Sequence, residues 1–291
     1  MSSRIAVLGT GRMGAALVRA FLKQGHATHV WNRTRSRGEP LAALGARIAD
    51  TVLDAVTAAD IIVSVVNTYD TSGALLSSPD VAKALRGKTV VELTSGSPRL
   101  ARERAAWAAS AGVDYLDGAI MATPDFIGGD TTTILYAGSP DLFARHEIVL
   151  RALGGNAVHV GADVGHASAL DSALLIVMWG GLFGVLQGAA IVDAEGIPRA
   201  EFTRHVKAVL PMMDGALIDL ASRIEEGRVM GDATTLASLE SHYGAFKHLL
   251  ELCADRGIHR VVPDAFREIF EKGLAAGHAE DDFAVLHRFV R

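Results

Sequence analysis

The sequence predicts an α/β domain with a mostly parallel sheet, followed by a long apolar helix and an all-α C-terminal domain. Three observations support this fold class. Short β-rich runs alternate with helical patterns over roughly the first 160 residues. Strand-like runs nearly vanish beyond about residue 164, and an apolar stretch at 173–192 lies close to that change. We therefore expect one domain at residues 1–163 and a second at 164–291.

The first domain begins with a short apolar run, RIAVL, which predicts a buried strand at 4–8. A helical pattern at 13–24 and a second strand at 28–32 follow. Runs of β-forming residues predict later strands at 61–66 and 89–93. Weaker strand patterns lie at 114–117, 133–137 and 157–160. Helices are predicted between them, at 53–59, 98–111 and 140–153. This alternation is typical of a doubly wound sheet.

The second domain is predicted to be helical throughout, with helices at 165–195, 199–210, 212–226, 237–256 and 263–276. Within 173–192 the only polar side chain is Gln187. A helix that is apolar all round is buried in protein or in lipid. No Lys or Arg closely flanks the segment, so the signal for membrane orientation is missing. We expect burial in protein, with the helix shared between subunits; membrane attachment is the alternative.

Composition narrows the function classes. The net charge of −5 gives no electrostatic reason to expect nucleic acid as a partner. The single cysteine, Cys253, excludes a disulfide within the chain and fits a reducing compartment. The N-terminus lacks a charged and then apolar signal sequence, so a cytoplasmic location is expected. No metal site is predicted.

A glycine-rich turn follows the first strand and opens the first helix, and it predicts a Rossmann dinucleotide-binding domain. In this motif Gly9 permits a tight turn, Gly11 lets a pyrophosphate approach the backbone, and Gly14 lets the helix pack closely. The phosphates then meet free N–H groups and the positive end of the helix dipole. The remaining residues of this predicted cofactor-binding turn are Thr10, Arg12 and Met13.

The residues at the end of the second strand indicate whether a Rossmann domain binds NADP or NAD. Enzymes that use NAD usually carry an acidic residue there, about 20 positions beyond the turn, which binds the ribose hydroxyls. This chain has Asn32, followed by Arg33, Thr34, Arg35 and Arg37. No carboxylate repels a 2′-phosphate, and guanidinium and hydroxyl donors are available to bind one. We predict NADPH, with Arg33 as the first choice for its phosphate and Thr34 and Arg37 next.

Ligands of such sheets lie beyond the carboxyl ends of the strands. Val66 and Asn67 end one later strand, and Thr94 and Ser95 end the next. These residues are predicted to line the nicotinamide half of the cleft.

Four segments in order resemble the imine reductases, a group within the β-hydroxyacid dehydrogenase superfamily. They are the glycine turn, WNRT at 31–34, LTSG at 93–96 and DGAIMA at 117–122. The similarity extends over essentially the whole chain. It implies an NADPH-dependent homodimer in which a long interdomain helix leads into a C-terminal domain exchanged with the partner. Each active site of such a domain-swapped dimer uses both subunits.

The chain departs from the hydroxyacid dehydrogenases at their catalytic positions. Counted from Gly165, Asp171 replaces their lysine and Leu175 their asparagine, and Met121 begins the segment that replaces their Ser-Gly-Gly. A carboxylate in an apolar pocket stabilises a protonated C=N⁺ group. If burial raises its pKa, it also supplies the proton. Many imine reductases and reductive aminases resemble this chain in having an aspartate here, which implies a catalytic role for Asp171.

Other positions shape the predicted pocket. Trp179 stands where many family members have a tyrosine or a second aspartate, and its indole is no general acid at neutral pH. Stacking on an iminium is one role for the ring; core packing is the other. Ser95 stands where reductive aminases tend to have asparagine, which favours simple imine reduction. Further candidate walls are Phe183, Met212, His242 and Tyr243.

These inferences predict an NADPH-dependent imine reductase that acts on a cyclic or hydrophobic imine. Two other functions stay open: a carbonyl or alcohol oxidoreductase like the hydroxyacid dehydrogenases, and a protein that binds NADPH without catalysis. The absence of a lysine at position 171 argues against the first, and Trp179 keeps the second open.

Overall fold

The computed structural model describes residues 3–290. Within these residues the chain divides into two compact units, one that ends at Val177 and one that begins at Met178. The division falls inside one long helix, and each unit is described by itself.

The first unit is built on an eight-stranded sheet with the order β3-β2-β1-β4-β5-β6-β7-β8. Neighbouring strands are parallel except for β6 and β7, which are antiparallel. The strand order reverses between β1 and β4, which is the switch point where doubly wound sheets bind ligands. The strands are β1 (Arg4–Leu8), β2 (Ala27–Trp31), β3 (Arg47–Ile48), β4 (Ile61–Ser64), β5 (Thr89–Glu92), β6 (Asp114–Ile120), β7 (Thr133–Gly138) and β8 (Asn156–His159).

Seven helices flank this sheet in the first unit: α1 (Arg12–Lys23), α2 (Glu39–Ala42), α3 (Val52–Thr57), α4 (Tyr69–Leu76), α5 (Pro79–Leu85), α6 (Pro98–Ala111) and α7 (Pro140–Leu150). The predicted α/β fold and mostly parallel sheet are confirmed. The sequence patterns did not predict β3, α2, α4 and α5, which are too short to show a clear hydrophobic period. Of these, α4 owes its start to Thr68, whose side chain accepts from the Thr71 N–H.

Both faces of the sheet are buried, which explains the near-continuous apolar strands. On one face Val7 and Val63 pack with Phe21 of α1. On the other, Leu8 and Ile62 belong to a second apolar cluster. Alternate residues of each strand therefore enter separate cores.

The second unit is helical, as predicted. Its elements are α8 (Gly165–Ala194, which begins in the first unit), α9 (Arg199–Glu225), α10 (Leu239–Asp255), α11 (Val261–Ala275) and a 3₁₀ segment, Phe283–Phe289. The prediction of separate helices at 199–210 and 212–226 is wrong, because α9 runs through Pro211. A proline removes one backbone hydrogen bond, and a helix this long retains its ladder on both sides.

The expectation that the apolar helix is buried is not met within a single chain. Leu174, Leu182 and Phe183 of α8 are each about half exposed. Among the described residues, α8 is the one helix long and apolar enough to cross a membrane by length and composition, a test that core helices of soluble proteins also pass. The fold of one chain thus leaves this surface uncovered.

Candidate functional site

The backbone of the glycine turn leaves no room for side chains at two of its three glycines. Gly9 has a φ of +102°, and a Cβ there would lie 2.4 Å from the Val65 carbonyl oxygen. A Cβ on Gly14 would lie 2.0 Å from the carbonyl oxygen of Gly9. Gly11 differs, since nothing lies within 4 Å of its Cβ position. That open space is where a ligand can approach the backbone.

The N-terminus of α1 presents its free N–H groups to this space. Gly11 is its N-cap and supplies no side-chain hydrogen bond, and the first turn has no acidic residue. Asn32 braces the turn from the end of β2: its Oδ1 accepts from the Thr10 N–H at 3.0 Å. Its Nδ2 donates to the Thr34 carbonyl oxygen, also at 3.0 Å. Asn32, predicted as a cofactor contact, thus also positions the turn.

The arginines after β2 are not equivalent. Arg35 forms an ion pair with Asp50. Across residues 3–290 no ion pair involves Arg33 or Arg37, and both side chains are exposed. These two guanidinium groups retain their full capacity to bind an anion.

A cleft of about 300 Å³ lies at the carboxyl ends of the central strands, entirely within the first unit. It brings together many of the predicted residues: Gly11, Arg12, Met13, Gly14, Val66, Asn67, Thr94, Ser95 and Asp171. It also contains residues that were not predicted, among them Gly118, Ala119, Ile120 and Ser168. Gly9, Thr10, Asn32, Arg33, Thr34 and Arg37 lie outside its lining, on the turn itself and after β2.

Asp171 reaches this cleft from α8. Its carboxyl is half-buried, and within the described part of the chain it has no hydrogen bond or ion pair. Burial raises its pKa above the ordinary value. A carboxyl in this state stabilises a cation or gives up a proton at higher pH than a solvated aspartate.

A row of polar side chains crosses the sheet beneath the cleft. None of its residues was predicted from the sequence as part of the site. Strand register places Ser64 of β4 beside Glu92 of β5, and Glu92 beside Asp117 of β6. None of the three is accessible to solvent. Glu92 accepts from Ser72 and from the Thr94 N–H, and Thr94 in turn accepts from the Val66 N–H at 3.1 Å.

The carboxyl of Asp117 accepts hydrogen bonds from three hydroxyls. Tyr69 donates to its Oδ2, as does Tyr115 at 3.2 Å. Ser168, on the first turn of α8, donates to Oδ1 at 3.0 Å. Burial raises the pKa of Asp117 to about 7, although the hydrogen bonds from the three hydroxyl donors act to lower it. A signal existed in the sequence: Glu92 is a charged residue inside the β-rich run predicted as a strand at 89–93.

The predicted pocket residues outside the cleft lining have varied surroundings. Met121 packs against a small cluster that includes Ala119 and Ala167, and Leu175 is partly exposed. In the second unit Trp179, Phe183 and Met212 are exposed. The His242 ring meets Phe283 edge-on with centroids 5.2 Å apart.

Tyr243 is engaged inside the helical unit. Its hydroxyl donates to Glu271 at 2.8 Å, and its ring lies 5.5 Å from that of Phe270. The Glu271 bond also raises its pKa. Its hydroxyl is therefore already paired within its own unit.

The residues of the first unit fit a dinucleotide. The open space at Gly11 and the start of α1, which no side chain caps, provide free N–H groups for phosphates. Arg33 and Arg37, which have no ion pair among the described residues, provide positive charge. Among residues 3–290 no cluster of three or more His, Cys, Asp or Glu side chains is suited to hold a metal ion.

Two family models match the chain. Residues 4–161 match the NAD binding domain of 6-phosphogluconate dehydrogenase. Residues 163–291 match the C-terminal domain of NADPH-dependent reductive aminase-like proteins.

Similar proteins cover nearly the full length. An imine reductase from Myxococcus stipitatus, solved in complex with NADP⁺, is 56% identical with a TM-score of 0.96, over 99% of this chain and 100% of its own. A reductive aminase from Aspergillus terreus, solved with NADPH and ethyl levulinate, is 33% identical with a TM-score of 0.91, over 100% of both chains. The NADPH-dependent reductive aminase of Aspergillus oryzae is 31% identical, over 100% of this chain and 98% of its own length.

Proposed function

The chain belongs to the family of NADPH-dependent imine reductases and reductive aminases, and we propose that it reduces the C=N bond of a cyclic or hydrophobic imine to an amine. The observation that supports this function most is the cleft itself. It places an unpartnered carboxyl, Asp171, beside the start of α1 and the ends of the central strands.

The cofactor half of the site binds NADPH. The free N–H groups at the start of α1 bind the pyrophosphate, and Arg33 and Arg37 pair with the 2′-phosphate. When bound, NADPH supplies the hydride that reduces the imine carbon. Thr94 and Ser95 line the cleft at the end of β5, where we expect them to orient the nicotinamide and the substrate.

Asp171 serves the nitrogen end of the substrate. Its raised pKa keeps a proton available, and transfer of that proton to the imine nitrogen leaves a carboxylate beside an iminium cation. The apolar surroundings strengthen the attraction between these charges and limit hydrolysis of the imine. The protonated, positively charged C=N group is the better hydride acceptor.

The test is consumption of NADPH with cyclic imines such as 2-methyl-1-pyrroline and 3,4-dihydroisoquinoline, with NADH run in parallel. Oxidation of NADPH and formation of the amine are expected, with much slower oxidation of NADH. A ketone tested alone serves as the control. Turnover of the ketone without turnover of any imine would instead indicate a carbonyl reductase.

The uncovered face of α8 leads us to propose a homodimer. Ile176, Leu182 and Phe183 are all more than half exposed in one chain. Neighbouring apolar side chains exposed together are typical of a surface that a partner covers. The family resemblance further supports exchange of the C-terminal domain, so that His242 and Met212 of one subunit complete the cleft of the other. We also propose a cytoplasmic location.

Light scattering after gel filtration without detergent tests the dimer. The chain is expected at twice its mass of 30.6 kDa. Leu182→Asp should give monomer, whereas Ile148→Asp, on the exposed side of α7 in the first unit, should leave the dimer intact. Insolubility without detergent would favour membrane attachment instead.

A further inference from the structure

Asp117 lies in a motif that carries the family resemblance, yet the proposed chemistry gives it no task. Its carboxyl is fully buried at the end of the polar row, directly beside Glu92 in the strand register. Burial of a carboxylate is costly unless hydrogen bonds replace its lost hydration. Three hydroxyls do so here, from three elements: Tyr69 of α4, Tyr115 of β6 itself and Ser168 of α8.

The bond from Ser168 ties the first turns of α8 to the sheet. Ser168 is almost fully buried, and Ala167 beside it packs against Ala119 and Ala137 of β6 and β7. Ser168 and Asp171 are three residues apart, so they share one face of the helix. Both line the cleft. A shift of Ser168 would therefore move the carboxyl of Asp171 with it.

The loop between β5 and α6 is packed against the same group. A Cβ on Gly96 would lie 2.4 Å from the Tyr69 ring, so that ring fits directly against the cleft loop. The Tyr69 hydroxyl then reaches Asp117. Asp117 is thus linked both to the loop that carries Ser95 and to the helix that carries Asp171.

We propose that Asp117 is a positioning residue for imine reduction: through its hydrogen bond with Ser168 it fixes the start of α8 and thereby aims Asp171 into the cleft. The inference rests on the catalytic role proposed for Asp171. An ionised Asp117 accepts from all three hydroxyls, whereas a protonated one must turn a donor of its own toward them.

The arrangement is sensitive to pH because burial raises the pKa of Asp117. The groups that face Asp117 are Glu92 from β5, Tyr69 from α4, Tyr115 from β6 and Ser168 from α8. Glu92 is itself a carboxyl, so it supplies no positive charge that would favour ionisation of Asp117. Burial raises the pKa of both Glu92 and Asp117. Protonation of Asp117 as the pH falls through about 7 weakens the hold on Ser168.

The first test is a double-mutant cycle on kcat and KM with an imine. Ser168→Ala and Asp117→Asn should each lower kcat by roughly tenfold, because small misplacements of a reacting group cost this much or more. The Kd for NADPH should stay unchanged. The double variant should be no slower than the slower single variant, since both changes act on the position of Asp171 through the same hydrogen bond between Ser168 and Asp117. Ser172→Ala is the matched control, because its hydroxyl bonds only to the Ser168 carbonyl oxygen of its own helix.

The second test measures position without turnover. Hydrogen exchange of the backbone amides at 169–172 should accelerate in Ser168→Ala and in Asp117→Asn, and stay at the native rate in Ser172→Ala. Additive losses of kcat, or unchanged exchange, would overturn the positioning role. If the native protein reduces no imine, the proposed function fails. Faster exchange in the two variants would then still support the hold of Asp117 on α8, and unchanged exchange would overturn it.

Discussion

The polar groups at the surface of the cleft differ sharply from those in the layer beneath it. At the substrate end, Asp171 has no partner within residues 3–290, whereas Asp117 accepts three hydrogen bonds. At the proposed cofactor end, no ion pair among the described residues involves Arg33, whereas Asn32 is bonded to the turn. Groups without a partner remain able to form hydrogen bonds or ion pairs with a ligand. The hydrogen-bonded groups hold these ligand-facing groups in position.

The largest effect is expected at Asp171. Asp171→Asn should lower kcat for an imine by about 10²-fold or more, because it removes both the proton and the negative charge. Thermal stability should not fall, since burial already disfavours the charged carboxyl. Steady-state kinetics and a melting curve check both expectations. Asp193→Asn, on the same helix but in an exposed pair with Arg199, is the control and should keep the native rate.

Asp117 should make the stability of the protein depend on pH. Its folded pKa of about 7 lies above its ordinary value of 3.8, so the folded state holds a proton that the unfolded chain has released. Its contribution to stability is therefore largest below about pH 4 and is lost as the pH rises to about 7, with a magnitude on the order of 4 kcal/mol.

Asp117→Asn should flatten that decline. Melting curves from about pH 5 to about pH 8 at fixed protein concentration measure it. Asp171→Asn provides the comparison, with a smaller change because its carboxyl is only half-buried. An equally steep fall in Asp117→Asn would mean that another group, such as Glu92, controls the stability in this range.

Arg33 should discriminate between the two cofactors. Arg33→Ala is expected to weaken NADPH binding by about tenfold, the value of one charge-assisted contact, and to leave NADH binding unchanged. Titration by fluorescence measures both. Arg35→Ala should have little effect, because that guanidinium is already paired with Asp50. Equal loss of affinity for both cofactors would show that Arg33 does not contact the 2′-phosphate.

Asn32 should show the smallest effect, and a different pattern. Asn32→Ala removes the brace on the Thr10 N–H, at a cost of about 1 kcal/mol. Affinity for NADPH and NADH should fall together by a few-fold, because the turn serves the phosphates common to both. A loss confined to NADPH would place Asn32 among the groups that read the 2′-phosphate.

The unpartnered polar groups of the cleft could be predicted from the sequence, whereas the partnered groups beneath it could not. Arg33 and Asp171 stand out because each departs from a local expectation: Arg33 follows Asn32, which stands where NAD enzymes carry an acidic residue, and Asp171 interrupts an apolar helix. Asp117 breaks none, since a polar residue at the end of a weak strand is unremarkable. Its importance comes from the register of β5 and β6, which no local pattern specifies.

The sequence by itself determined the class of fold, the glycine turn, the preference for NADPH and the carboxyl on α8, because each depends on local spacing and residue chemistry. Only the tertiary structure decided which polar groups are satisfied. It paired Asn32 with Thr10, Arg35 with Asp50 and Ser168 with Asp117. In the tertiary structure, α9 also continues through Pro211. Hydrogen bonds between residues distant in sequence arise only when the sheet brings their strands and helices together, so their partners cannot be read from spacing along the chain.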